Sequence, residues 1–190
     1  MTIAECPASA FNRLVLTSPH ALAMPLATYP GLALTGARVH DVVTNPHAQL
    51  EVQTALQQRY RSPVVMSAMD LSADAEAFGC QVEMSTTEVP TVTGRLVTSL
   101  EGARALSVPP VGHTRTRVYL GTTTLLRKLS DHLLVLGGCI GPFSLAARLA
   151  GVSEAMEMTV AEPELMAQSK RSGQAVHPSE GRYHFVLALQ

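Results

Sequence analysis

The chain has 190 residues, 46% of them apolar and 15% charged, and a formal net charge of −1. That is ample material for a core and no polyelectrolyte. A basic nucleic-acid face is not expected, because cations come together in no more than short pairs such as Arg115 with Arg117, Arg127 with Lys128, and Lys170 with Arg171. The cysteines Cys6, Cys80 and Cys139 form no disulfide framework and suit a reducing compartment. The first residues show no basic leader, and the most apolar window, Leu133 to Phe143, is about half of the ~20 residues that a membrane span needs. The expectation is a soluble, cytoplasmic chain with no membrane partner.

In chain order, residues 21–44 are apolar but broken by Pro25, Pro30, Gly31 and Gly36, which predicts loops and turns in place of a long helix. Asn45 followed by Pro46 reads as a helix start, since Asn caps free amides and Pro at the first helical position loses no hydrogen bond. Val52, Ala55, Leu56 and Tyr60 recur at helical spacing, so residues 46–60 are predicted as an amphipathic helix.

Pro63 to Ala68 reads as a buried strand, and Ser72 as the cap of a short helix that ends at Gly79. Cys80 to Met84 alternates like a strand, and Thr91 to Val97, bent at Gly94, could be its hairpin partner. Thr98 and Glu101 have the spacing of a capping box for a helix through Leu106. A helix is predicted from His113 to Ser130, with Val118, Thr122, Leu125, Leu126 and Leu129 on one face.

Leu133 to Leu136 reads as a second buried strand whose exit loop is GGCIGPF, followed by helices from Phe143 to Ala150 and Ser153 to Met158, with Pro163 opening one more. Strand, helix, strand, helix at this spacing is an α/β pattern with parallel strands. After Met166 the helical period is lost, and a strand-like run, Tyr183 to Leu189, stands alone.

Two corners carry the candidate chemistry, because in α/β folds the strand's carboxyl end is where ligands are met. Asp70 follows the first strand, where its carboxylate could either cap the next helix or face a pocket. Gly137, Gly138 and Gly141 surround Cys139 after the second strand, in a spacing that matches neither a dinucleotide nor a phosphate loop. Cys80 and Cys139 sit in no CxxC or CxH pattern and read as small buried hydrophobes, so no metal site is assigned.

The segments DVVTNPHAQLEVQTALQQRYRSPVVMSAMDLSADAEAFGCQVEMS, PTVTGRLVTSLEGARAL and LLVLGGCIGPFSLAARLAGVSEAM resemble the amino-terminal half of the uroporphyrinogen decarboxylase superfamily. The likeness is closest to its cobalamin-dependent methyltransferase branch and covers residues 22–166. It implies a partial (β/α)8 TIM barrel with parallel strands, preceded by an N-terminal helical and loop extension (1–21) and followed by a divergent tail (167–190). A closed barrel typically takes about 250 residues.

The resemblance also implies that Asp70, matching the family's substrate-contacting aspartate, is a catalytic and substrate-binding residue, and that Gly138, Cys139 and Gly141 line the same cleft. Decarboxylases hold the acid groups of their tetrapyrrole through arginines in a Gln-Ala-Gly-Arg-Tyr type loop, since carboxylates want charge-assisted partners. Here the comparable stretch is TYPGLALTG, without arginine, and Arg148 stands where they carry a tyrosine.

Methyltransferases of the branch use a His-X-Cys pair and a distant Cys to bind zinc, which lowers a thiol's pKa. This chain has no His-X-Cys, so the expectation is no cofactor held here, with zinc and a corrinoid methyl donor implied for longer relatives. The expected activity is methyl transfer from a corrinoid to a thiol, weak or absent in this chain alone. The alternatives are uroporphyrinogen decarboxylation and a non-catalytic half-barrel. Expected partners are a small-molecule or corrinoid-protein substrate, and a homodimer mate or complementing half-barrel.

Overall fold

A computed structural model describes residues 7–129 and 133–161. The first helix, α1 (Pro7–Thr17), leads into a 3₁₀ turn at Tyr29–Gly31 and two short helices, α2 (Leu32–Thr35) and α3 (Val39–Thr44). The sequence-based expectation of loops over 21–44 is corrected at these helices. The punctuation lies where expected, but it divides helices instead of abolishing them: Gly36 ends α2 in the left-handed region, at φ 74°.

Helix α4 (Pro46–Tyr60) matches its predicted bounds. The Asn45 side chain accepts from His47 N at 2.9 Å, which satisfies one of the free amides of the first turn. Val52 and Leu56 are buried against Val42, whereas Tyr60 is exposed. The helix also buries two glutamines on that side, and both have partners. Gln49 donates to Val42 O at 3.0 Å and accepts from Ala68 N at 2.9 Å, pinning the end of the following strand to α4. Gln53 donates to Thr28 Oγ1 at 2.7 Å, holding the 3₁₀ turn.

Strand β1 (Val64–Met66) pairs in parallel with β4 (Leu134–Leu136), Val65 opposite Val135. Between them run α5 (Ala73–Ala77), the antiparallel hairpin β2 (Gln81–Glu83) and β3 (Thr91–Thr93), α6 (Leu100–Arg104) and α7 (Thr116–Leu129). The mixed α/β class and the hairpin agree with the sequence reading. Helix α7 packs on α4 and on both parallel strands, so the crossover returns over the sheet as a parallel connection must. Helices α8 (Pro142–Ala150) and α9 (Val152–Ala161) follow β4, with Gly151 between them at φ 102°.

Three local expectations are corrected. The cap of α6 is Ser99, which accepts from Gly102 N at 3.1 Å, not Thr98. Ser72 makes no capping bond to α5, because its hydroxyl is engaged by Asp70. Helix α7 starts at Thr116, since Pro110 O takes the amide of His113 and Thr114 turns at φ 48°. The threonine run in α7 is accommodated by bonding back: Thr122, Thr123 and Thr124 each donate to the carbonyl four residues earlier. Pro163, Tyr183 to Leu189 and the divergent tail 167–190 lie outside the described residues.

Candidate functional site

Because β1 and β4 run parallel in register, their carboxyl ends open on one rim. Gly138 N lies 3.4 Å from Ser67 Oγ, and a Cβ built on Gly138 would stand 3.4 Å from the Met66 methyl. The two corners therefore touch. Asp74, in the first turn of α5, links them further by accepting a backbone hydrogen bond from Ile140. Desolvation, partly offset by that bond, pushes the Asp74 carboxyl up.

Asp70 has no exposed side-chain surface. Its Oδ1 accepts from Ser72 N at 2.8 Å and from Ser72 Oγ at 2.6 Å, while Oδ2 accepts from Arg115 Nη1 and from Tyr119 OH at 2.9 Å. Its two oxygens are thus divided, one to Ser72 and the other to Arg115 and Tyr119. Arg115 also donates through Nη2 to Ser72 Oγ at 2.8 Å and through Nε to Glu76 Oε2 at 2.5 Å. One guanidinium serves two carboxylates, the fork geometry that a lysine could not supply.

Desolvation pushes the Asp70 carboxyl up, but hydrogen bonds from Ser72 and Arg115 and the charge of Arg115 outweigh it, and the group titrates below its ordinary 3.8. Its stabilisation is therefore present above that value and lost as pH falls through the lower folded value. Asp70→Asn is expected to flatten the fall in Tm between about pH 5 and about pH 2; identical wild-type and variant slopes in circular dichroism melts would refute this.

Burial, and then the neighbouring Asp70 charge, raises the hydroxyls of both Tyr119 and Tyr29, the latter to about 12. Tyr29 OH is buried without a hydrogen-bond partner.

The structure places the predicted site residues unevenly. Gly138 meets Ser67 and Met66 at the end of β1, Asp70 lies further along that corner among Ser72, Arg115 and Tyr119, and Cys139 and Gly141 are exposed. The expectation that both cysteines are buried holds for Cys80 and is corrected for Cys139, because the loop turns its residue outward. Desolvation and the charge of Asp74 raise the Cys139 thiol.

Sequence reasoning missed Arg115, Tyr119, Glu76 and Tyr29. A signal existed for two of them: positions 115, 119, 122 and 126 form one stripe at helical spacing, and all four are buried. Arg115, one residue before α7, extends that buried stripe. An open depression of about 320 Å³, lined by Thr123, Thr124, Arg127, Lys128 and Val135, includes none of the Asp70 cluster.

Among the described residues, no three His, Cys, Asp or Glu side chains converge as a metal-binding set, so they do not fit the zinc site of the methyltransferase branch. Nor is any helix among them long and apolar enough to cross a membrane.

Two parallel strands whose exit corners touch, one leading to a buried carboxylate and the other a glycine loop, define a mixed α/β protein. The family model described as uroporphyrinogen decarboxylase (URO-D) matches residues 26–169, and the chain belongs to that family. Among solved structures it is similar to a methyltransferase from Methanosarcina mazei, with a TM-score of 0.72 at 22% identity. The match covers 84% of this chain and 49% of the methyltransferase, so the chain spans about half the length of that relative. No curated protein matches.

Proposed function

We propose that this chain forms the amino-terminal part of a (β/α)8 barrel enzyme of the methyltransferase type, which moves a methyl group from a corrinoid to a thiol. On this reading Asp70 borders the substrate cleft, Gly138, Cys139 and Gly141 bound its glycine side, and the chain alone is weak or inactive. What supports the reading is the contact of the two strand-end corners, Gly138 N lying 3.4 Å from Ser67 Oγ, with Asp70 further along the first corner and held ionised by Arg115. The likeness in fold to a methyltransferase supports the same branch.

Uroporphyrinogen decarboxylation is the weaker reading. A carboxylate offers about four acceptor positions. At Asp70 all are engaged, by Ser72 N, Ser72 Oγ, Arg115 and Tyr119, so accepting pyrrole N–H groups would require displacing one of them. The stretch 28–36 adds no arginine for the acid side groups.

The chain's own groups supply charge and shape, and among the described residues no three His, Cys, Asp or Glu side chains converge to hold the zinc that would activate a thiol. A complementing half-barrel, or a second copy of the chain, is the partner suited to the parallel sheet, since β4 is only half-buried and the described strands β1 and β4 pair just with each other. Such a cover would also shield an edge prone to non-specific pairing.

The purified full chain is expected to give no S-methylation of 2-mercaptoethanol by methylcobalamin above the uncatalysed rate. A co-expressed chain carrying a His-X-Cys motif and a later Cys is expected to bind it and restore the reaction. Decarboxylation of uroporphyrinogen by the chain alone, or stoichiometric zinc in it, would overturn the proposal.

A further inference from the structure

Ser72 has the identity of a helix cap but makes no capping bond, and it is buried. Its amide and its hydroxyl both reach Asp70 Oδ1, at 2.8 Å and 2.6 Å. The Ser72 oxygen itself lies 2.8 Å from Arg115 Nη2. The direction of this chain is fixed, because a guanidinium only donates and an ionised carboxylate only accepts. The hydroxyl therefore accepts from Arg115 and gives its own hydrogen to Asp70. Bonds joined head to tail in this way polarise one another.

An arginine that faces a carboxylate alone commonly grips both oxygens with two parallel N–H groups. Here Nη1 donates to Asp70 Oδ2, whereas Nη2 stops at Ser72 Oγ, which passes the bond on to Oδ1. The hydroxyl is inserted into one arm of the fork. A guanidinium held off the symmetric grip on one side is turned, and its Nε meets Glu76 Oε2 at 2.5 Å. Tyr119 cannot set that turn, because it reaches only Oδ2, at 2.9 Å.

We propose that Ser72 is the positioning residue of this corner: its hydroxyl sets the orientation of Arg115 between Asp70 and Glu76, and with it the orientation of the Asp70 carboxylate. The inference rests on the reading that Asp70 borders the cleft, and deepens it by naming what holds that carboxylate in place. One hydroxyl thereby ties together the corner after β1, where Asp70 stands, helix α5, which carries Glu76, and Arg115 just before α7.

Ser72→Ala deletes the hydroxyl and keeps the amide bond to Oδ1, and Ser72→Thr keeps a hydroxyl. In Ser72→Ala of the full chain, the acid dissociation constant of Asp70, followed by NMR at its carboxyl carbon, is expected to fall roughly tenfold, the loss of one charge-assisted hydrogen bond. The Arg115 Nε–H is expected to exchange with solvent roughly tenfold faster, as the fork closes on both Asp70 oxygens and Nε leaves Glu76. Ser72→Thr is expected to behave as wild type in both measurements. Ser72→Cys, with a weak S–H donor in place of the hydroxyl, is expected to lie between, and gives the same two readings if the alanine variant does not fold.

An Arg115 Nε–H as slow to exchange in the alanine or cysteine variant as in wild type would overturn the proposal, since it would show that Arg115 keeps its orientation without the hydroxyl. So would an unchanged Asp70 titration, or a threonine variant that behaves as alanine does. Neither measurement requires turnover. Their failure removes the role of Ser72 and leaves the methyl-transfer reading standing, whereas uroporphyrinogen turnover with both results as expected removes that reading alone.

Discussion

Arg115→Ala is expected to destabilise the chain by about 3–5 kcal/mol, the usual result of removing one member of a buried ion pair. The magnitude follows from what is left behind. Asp70, with no exposed side-chain surface, would lose its countercharge, and Ser72 Oγ and Glu76 would lose a donor. Arg115→Lys should recover only part of the loss, because an ammonium is a compact charge that cannot reach Asp70, Ser72 and Glu76 in three directions at once. Urea unfolding monitored by circular dichroism gives both values. A loss below about 1 kcal/mol for Arg115→Ala would place the guanidinium among exposed pairs, which contribute little.

Gly31→Val is expected to cost about 2–3 kcal/mol, the upper range for overpacking a well-filled site. Gly31 has ordinary helical φ, so the constraint is purely one of space. A Cβ there would lie 2.6 Å from Val52 Cγ1 and 2.9 Å from Leu56 Cγ, and α4 is held against retreat by Gln49 and Gln53. The 3₁₀ turn must lift, and Tyr29 moves with it away from Asp70. The variant should therefore lose urea stability. Unchanged stability would show that the turn is loosely docked.

What could be read from the sequence follows the range of the forces involved. Helix α4 was legible at both ends because Asn45, Pro46 and the Val52–Leu56 spacing are local signals. So were the positions of β1, β4 and α8, short apolar runs bounded by glycine or proline, although β4, expected to be buried, is only half-buried and pairs among the described strands with β1 alone. The helices α2 and α3 were not, because their apolar content and their breakers point in opposite directions, and what decides is packing of Val42 against Val52 and Leu56. Ser72 illustrates competition between equally local partners: it has the right identity for a cap, but Asp70 two residues earlier takes both its amide and its hydroxyl.

The candidate site divides in the same way. Asp70 and the glycine corner were visible as strand-end residues, and the contact of the two corners at Ser67 and Gly138 follows from parallel pairing. Arg115 lies 45 residues from Asp70 in sequence, so no local spacing joins them. It was legible only as a charged residue continuing the buried stripe of α7. Tyr29 carries no such mark: its importance comes from a hydroxyl left unpartnered once Asp70 has been saturated, a property of the folded cluster and of no single residue.

The central claim is that a buried carboxylate at the end of β1 is kept ionised by Arg115 on the rim shared with the glycine corner. A pH titration of the Asp70 side-chain carboxyl carbon by NMR, in wild type and in Arg115→Lys, tests it most directly. A wild-type midpoint below the ordinary value of 3.8, moving upward in Arg115→Lys, is the predicted result. A wild-type midpoint at or above 3.8, or one indifferent to the substitution, would contradict it.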